Sequence, residues 1–258
     1  MTAQFQNADE IVSFLETTNQ HLDMFLDDDL YLICTTLYTI ENQIHNDPSL
    51  LTNTVLDALH AMAINSPYHD PGFHPHTARQ EVCLRSIRVL GILAFLKTGA
   101  GQAAINHLDD IITSSDDWIL RSEAAGIFCY GRDDASSAAL LEKHGQHNSV
   151  AGIRQKCRDG LIDIARENPA MVERALIAQI KGINDPDLDA RTRSIALLTN
   201  RARSTTCDAD ELLNLRKIFV HAAKNNVAHE NVAYWAKKGI HDVDGRTKAN
   251  GAGEFKFP

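Results

Sequence analysis

The stretch LYLICTTLYTIENQI, residues 30–44, decides the fold class. Its aliphatic residues Leu30, Ile33, Leu37, Ile40 and Ile44 follow one another at steps of three and four. Such steps place side chains on one face of an α-helix, whereas a strand would alternate apolar and polar residues. The stretch therefore predicts an amphipathic helix whose aliphatic face is buried.

The same spacing recurs through most of the 258 residues, and breakers separate the stripes. Three breakers pair a capping residue with proline, namely Asp47-Pro48, Asn168-Pro169 and Asp185-Pro186, and each predicts a helix start. The pattern predicts an all-α fold of twelve helices in six antiparallel pairs. Their predicted ranges are 8–25, 28–45, 48–65, 76–97, 100–112, 116–131, 134–145, 149–167, 169–183, 186–203, 208–225 and 229–241.

Four of the second helices share an early arginine followed by small or apolar residues. These arginines are Arg79, Arg121, Arg154 and Arg191, at intervals of 42, 33 and 37 residues. Repeats of paired helices have periods of this size. In segments such as Leu120-Arg-Ser-Glu-Ala-Ala-Gly126 the chain resembles the HEAT/armadillo helical repeat superfamily, over residues 77–239. The resemblance implies an α-solenoid of stacked pairs and no particular chemistry. An irregular helical bundle is the alternative.

We expect one HEAT-like domain over residues 1–241 and a flexible tail over 242–258. The first residues show no signal peptide, and no apolar window is long enough to span a membrane. Five cysteines are scattered without close pairs, which favours free thiols in a reducing compartment, and so a cytoplasmic protein.

The charge is divided unevenly along the chain. Residues 1–78 contain eleven carboxylates and no lysine or arginine, whereas the remainder carries all 25 basic residues. Such a field attracts a basic partner and repels nucleic acid, whose binding rests on lysine and arginine. We therefore predict a surface for a basic protein partner in this acidic part. Its candidate residues are Asp23, Asp27, Asp28, Asp29 and Glu41. The alternative is a solvated acidic cap at the end of a solenoid.

Two further segments suggest an enzyme on the same scaffold. The loop that contains His69, His74 and His76, with Asp70, holds donors that suit zinc or iron, although its spacing matches no metal motif. The segment Asp117-Trp118 is similar to a helix start in the HEAT-like DNA alkylation-repair glycosylases, a resemblance that implies a catalytic aspartate and a basic groove.

A third segment, His229-Glu230, looks like one of the His-Glu pairs with which deoxyhypusine hydroxylase holds two irons. That family uses several such pairs and this chain has one, so a di-iron site is not predicted.

The prediction from the sequence is a non-enzymatic, protein-binding solenoid without a cofactor or catalytic residues. Its suggested biological form is an inhibitor or immunity-type protein that engages a cationic partner through the acidic N-terminal repeats. The rival function is an enzyme, either metal-dependent through the three histidines or glycosylase-like around Trp118.

Overall fold

The structure is a computed structural model, and it describes residues 4–68, 77–96, 101–128, 135–204 and 206–249. These residues form an all-α fold in which no strand occurs. The α-helices are α1 Ala8–Gln20, α2 Asp27–Asn46, α3 Asn53–Ile64, α4 Ala78–Ala94, α5 Gly101–Ser114, α6 Trp118–Phe128, α7 Ala135–His147, α8 Ala151–Glu167, α9 Val172–Gly182, α10 Leu188–Arg203, α11 Ala209–Asn225 and α12 Glu230–Ala249. Single 3₁₀ turns span Leu22–Met24, Pro48–Leu50 and Pro169–Met171. The all-α prediction is confirmed, and each predicted helix corresponds to one of these twelve.

Three predicted helix starts require correction. Pro48 and Pro169 begin 3₁₀ turns, capped by Asp47 and Asn168, and the α-helix follows in each case. Asp185 does not cap α10, because Asp187 accepts from Ala190 N–H and is the N-cap. The carboxylate of Asp185 binds two arginines instead.

The last helix is longer than predicted. It continues to Ala249, eight residues beyond the expected end at residue 241, and Val243 is fully buried. Arg246 anchors this extension by donating hydrogen bonds to the carbonyl oxygens of Ala202 and Ser204 at 2.6 and 2.7 Å. The first part of the predicted tail, 242–249, is therefore helical, and residues 250–258 lie outside the described residues.

The chain divides into two compact units, residues 1–140 and 141–258. In the first unit, α4 packs between α2 and α6, and α3 packs between α1 and α5. The stripe of α2 predicted to be buried is buried, with Leu37, Ile40 and Ile44 fully so. The prediction of a single domain over 1–241 stays a prediction.

In the second unit, α10 packs against both α8 and α12, while α9 and α11 contact this row of alternate helices. Phe219, Ile195 and Leu198 belong to its core. Ile180 is partly buried and packs against this core.

A buried ion cluster also stabilises the second unit. The carboxylate of Asp185, 2% exposed, accepts from Arg154 at 2.6 and 2.8 Å and from Arg158 at 2.9 Å. Burial opposes its charged form, but the hydrogen bonds from Arg154, the Asp187 backbone and Arg158 outweigh it and lower the pKa of Asp185 to about 2. Asp185 is therefore a structural carboxylate, charged throughout the neutral range.

Candidate functional site

The predicted acidic residues occupy the beginning of α2 and the turn before it. Asp27, Asp28 and Asp29 form the first turn of the helix, where negative charge interacts favourably with the helix dipole. The carboxylate of Asp29 also accepts from the backbone N–H of Leu26 at 3.3 Å. These three residues thus stabilise the helix start, and all three remain exposed to solvent.

The other two predicted residues are paired with cations from α4. Asp23 forms an ion pair with Arg79, and Glu41 forms one with Arg85 at 2.5 Å. Glu41 is only 14% exposed, so its charge is largely satisfied within the protein. The acidic part therefore receives counter-charge from α4 at these two positions. Among the described residues, no cation forms an ion pair with Asp27 or Asp28.

The sequence analysis did not identify the large apolar side chains that surround these acids. Five of them are more than half exposed: Met24, Leu26, Tyr31, Leu32 and Tyr38. Helical spacing places Asp28, Tyr31, Leu32 and Tyr38 on one side of α2, away from its buried stripe. We call the five apolar residues, together with Asp27, Asp28 and Asp29, the N-terminal surface. Its signal in the sequence was a second set of apolar residues out of register with the first.

Tyr38 connects this surface to the neighbouring helix. The guanidinium of Arg85 lies 5.0 Å from the centre of the Tyr38 ring, within the range of a cation–π contact. Cys34, on the same helix, is half-buried. Burial, followed by the nearby carboxylate of Glu81, raises the pKa of its thiol to about 11. Cys34 is thus a protonated thiol at neutral pH and unsuited to nucleophilic chemistry.

The predicted metal ligands His69, His74 and His76 lie outside the described residues, as does Asp70. Within the described ranges, no group of three or more histidine, cysteine or acidic side chains is arranged to hold a metal ion. His229 immediately precedes α12, and Glu230 is the acidic residue of its first turn.

Asp117, the residue before Trp118, has a structural role. Asp117 is buried, and its carboxylate accepts from Ser66 Oγ at 2.6 Å, from Gln80 Nε2 at 2.8 Å and from the Ile119 backbone at 2.8 Å. A carboxylate engaged by three donors caps α6 and ties it to α4. These contacts do not favour the glycosylase alternative.

Four of the five cysteines fall in the described residues, and none of these four forms a disulfide. Cys83, Cys157 and Cys207 are buried. None of the helices in the described ranges is long and apolar enough to cross a bilayer.

Comparison with known proteins gives little further information. No family model matches the chain, and no curated protein matches it. Among solved structures, it is similar to the crystal structure of an engineered protein, with 14% sequence identity and a TM-score of 0.41. That similarity covers 92% of this chain and 68% of the other, and it is too weak to inform the fold or the function.

Proposed function

We propose that the protein binds a basic protein partner through the N-terminal surface. The observation that supports this function is the coincidence of exposed apolar and acidic side chains in one short segment. Residues 24–38 include Tyr31, 77% exposed, and Leu32, 58% exposed, next to Asp27 and Asp28. The segment contains no lysine or arginine.

Both components of the surface have a physical role in association. Exposed apolar side chains that lie together mark interaction sites, and tyrosine is enriched at the centres of protein interfaces. Carboxylates around such a centre accelerate encounter with a basic partner and disfavour acidic ones. The alternative, a solvated cap at the end of a solenoid, would explain the exposed carboxylates but not the exposure of Tyr31 and Leu32.

For the arrangement of the helices we propose a HEAT-like solenoid, because one pattern of hydrogen bonds recurs in successive helix pairs. An arginine near the start of a second helix donates to an oxygen at the end of the helix before it. The contacts are Arg79 to Asn65 Oδ1 at 2.7 Å, Arg121 to Ile112 O at 2.8 Å, Arg154 to Asn148 O at 2.8 Å and Arg191 to Asp185 O at 2.8 Å. In the last three contacts the acceptor is a backbone carbonyl at or just beyond the end of a helix, where such groups lack a partner within the helix, and in the first it is the side-chain amide of Asn65.

A second contact recurs between successive pairs. Arg154 donates to Asp185, and Arg191 donates to Asn226 at 2.6 Å. In the first unit, Gln80 donates to Asp117 in the same way at 2.8 Å. Each acceptor lies just before the second helix of the next pair. Equivalent contacts at equivalent places support a repeated unit over an irregular bundle.

The biological form that we propose is an inhibitor or immunity-type protein of the cytoplasm that masks a cationic protein. Buried free thiols such as Cys83 and Cys207 are typical of reducing compartments. Nucleic acid is disfavoured as the ligand of this surface, since residues 1–78 contain no lysine or arginine to bind phosphate.

The proposal can be tested by affinity capture from native lysate with the full chain as bait. The double variant Tyr31→Ser, Leu32→Ser removes the apolar centre of the surface. The double variant Tyr234→Ser, Val227→Ser is a matched control, because it removes a tyrosine and an aliphatic residue that are 59% and 76% exposed in the second unit. We expect a basic protein to bind the wild type and the control and to be lost from the first variant.

Equal retention of the captured protein by both double variants would contradict the proposed site. So would a captured partner that is acidic, or one whose retention depends on nucleic acid and is abolished by nuclease treatment. Circular dichroism of each variant verifies that helix content is unchanged.

A further inference from the structure

The exposed side of helix α2 presents a regular series of side chains. Asp28, Tyr31, Thr35, Tyr38 and Asn42 follow one another at steps of three and four, which places them along one side of the helix. Tyr31 and Tyr38 are 77% and 54% exposed. They lie about 10 Å apart along the helix axis, because seven residues separate them. We call these five residues the α2 stripe.

The polar side chains of the α2 stripe are hydrogen-bonded to the helix itself. Thr35 Oγ1 donates to the carbonyl oxygen of Tyr31 at 3.0 Å, and Asn42 Nδ2 donates to that of Tyr38 at 2.9 Å. Thr39, beside the stripe, donates to the carbonyl oxygen of Thr35 at 3.1 Å. A partner can therefore cover both hydroxyl groups with apolar side chains without leaving a donor unpaired. The stripe favours recognition by side-chain packing.

The sizes of these side chains suit a second helix. Thr35 is small and lies one turn from both Tyr31 and Tyr38, and Leu32 is exposed beside it. A small side chain between large ones leaves a notch, and the side-chain ridges of one helix pack into such notches on another. The anchors of an amphipathic helix also recur at i, i+3 or i+4, and i+7. A partner strand, by contrast, pairs with an exposed sheet edge, and the part of the chain that the structure describes contains no strand.

The charge along the stripe is uneven, and this indicates a direction for the bound helix. Asp27 and Asp28 are exposed at the N-terminal end of the stripe, and neither forms an ion pair with another described residue. At the other end, Arg85 pairs with Glu41 and lies over the Tyr38 ring, so the charge there is balanced. Basic residues of a partner helix are therefore best placed beside Asp27 and Asp28. Cations are most favourable at the C-terminal end of a helix, which makes the two helices antiparallel.

We propose that the basic partner docks an amphipathic α-helix along the α2 stripe, antiparallel to α2, with its basic residues beside Asp27 and Asp28. The inference rests on the proposed function and specifies the element of the partner that binds. This element carries large apolar residues along one side and lysine or arginine in its last turns. It contacts both Tyr31 and Tyr38, whereas a contact confined to the first turn of α2 would not reach Tyr38.

The experiment uses the full chain and three fluorescein-labelled peptides. The first peptide has leucines at helical spacing and lysines in its last turns. The second has the same composition with the lysines in its first turns, and the third is the first with a central alanine replaced by proline. Fluorescence anisotropy gives the Kd of each peptide for the wild type, for Tyr38→Ser and for Tyr234→Ser. Tyr234 is 59% exposed and lies in the second unit, so its variant is a matched control, and circular dichroism verifies that each variant keeps its helix content.

We expect the wild type and Tyr234→Ser to bind the first peptide most tightly. Tyr38→Ser should bind it about tenfold more weakly, because the burial of one large side chain changes affinity by about this factor. The proline peptide should bind the wild type on the order of a hundredfold more weakly, because proline breaks the helix. The second peptide should bind several-fold more weakly than the first at low salt, and high salt should remove this difference.

Equal binding of the first and third peptides, or of the first peptide by the two tyrosine variants, would overturn the docking of a helix. Tighter binding of the second peptide than of the first would overturn the antiparallel direction. A wild-type dimer in analytical ultracentrifugation that Tyr38→Ser dissociates would show that a second copy covers the stripe, which also overturns the proposal.

The double variant Asp27→Asn, Asp28→Asn distinguishes failure of this inference from failure of the proposed function. If it binds all three peptides more weakly than the wild type while Tyr38→Ser shows no effect, the helix is wrong and the acidic surface stands. If it and Tyr31→Ser, Leu32→Ser both bind every peptide as tightly as the wild type, the proposed function is contradicted as well.

Discussion

Replacing Asp185 with asparagine tests whether the buried ion cluster stabilises the second unit. The wild-type carboxylate accepts three hydrogen bonds from Arg154 and Arg158, whose side chains are 9% and 3% exposed. Asparagine keeps the shape but removes the charge and turns an NH₂ group toward guanidinium donors. Breaking a buried ion pair from one side costs about 3–5 kcal/mol, because the remaining charge is left without compensation.

Urea denaturation monitored by Trp235 fluorescence measures this effect. Trp235 packs against the core of the second unit, and the change Trp118→Phe removes the signal of the other tryptophan. With a slope of about 1–3 kcal/mol per molar urea, the expected loss lowers the midpoint by roughly 1–5 M. The control is Asp163→Asn, which breaks an exposed pair with Arg166 and should cost about 0–1 kcal/mol.

The pH dependence provides a second readout of the same cluster. The pKa of Asp185 is about 2 in the folded protein and about 4 when the chain is unfolded. Between these values the unfolded chain binds the extra proton, so wild-type stability falls as the pH falls from about 4 to about 2. The Asp185→Asn variant should not show this part of the loss of stability at low pH. Equal urea midpoints for the Asp185 and Asp163 variants would refute the reasoning.

Three further predictions concern packing and titration. Leu37→Ala should cost about 2–5 kcal/mol because Leu37 is fully buried, whereas Leu32→Ala, on the exposed side of α2, should leave the denaturation midpoint almost unchanged. Gly239→Ala should destabilise the second unit by about 1–3 kcal/mol, since the new Cβ would lie 2.7 Å from the Phe219 ring; a thermal midpoint equal to that of the wild type would contradict this. Burial, followed by repulsion from a stacked second histidine, lowers the pKa of His60. The unfolded chain therefore binds the proton first, and stability should decline as the pH falls below about 6.5, less steeply in His60→Gln, as urea titrations at several pH values would measure.

The helices could be predicted from the sequence because each buries a regular apolar stripe. The spacing of Leu37, Ile40 and Ile44 is enough to predict which side of α2 is buried, because the helical repeat places these residues on one side. The role of Asp185 could not be predicted in this way. A carboxylate before proline resembles a helix cap, and its arginine partners lie 27 and 31 residues earlier in the chain.

The exposure of the other side of α2 could not be predicted from the sequence either. Tyr31, Leu32 and Tyr38 are apolar, and composition alone would assign them to a core. They are exposed because the helix buries its other side against α4, which a pattern within one helix does not specify. The candidate site could therefore be identified only from the packing between helices, whereas the fold class could be predicted from patterns within single helices.

The pairing of charges also depends on packing between helices. This pairing indicates where the proposed binding is best examined. Residues 1–78 lack lysine and arginine, yet Arg79 and Arg85 of α4 neutralise Asp23 and Glu41 through space. A paired charge acts at a distance as a dipole, whose field decreases faster than that of a single charge, and salt screens what remains. Asp27 and Asp28, in the first turn of α2, are exposed and unpaired among the described residues, so their charges keep their long-range attraction for a basic partner. The same turn lies beside Tyr31 and Leu32, so the charges that would guide a partner adjoin the apolar side chains that would hold it.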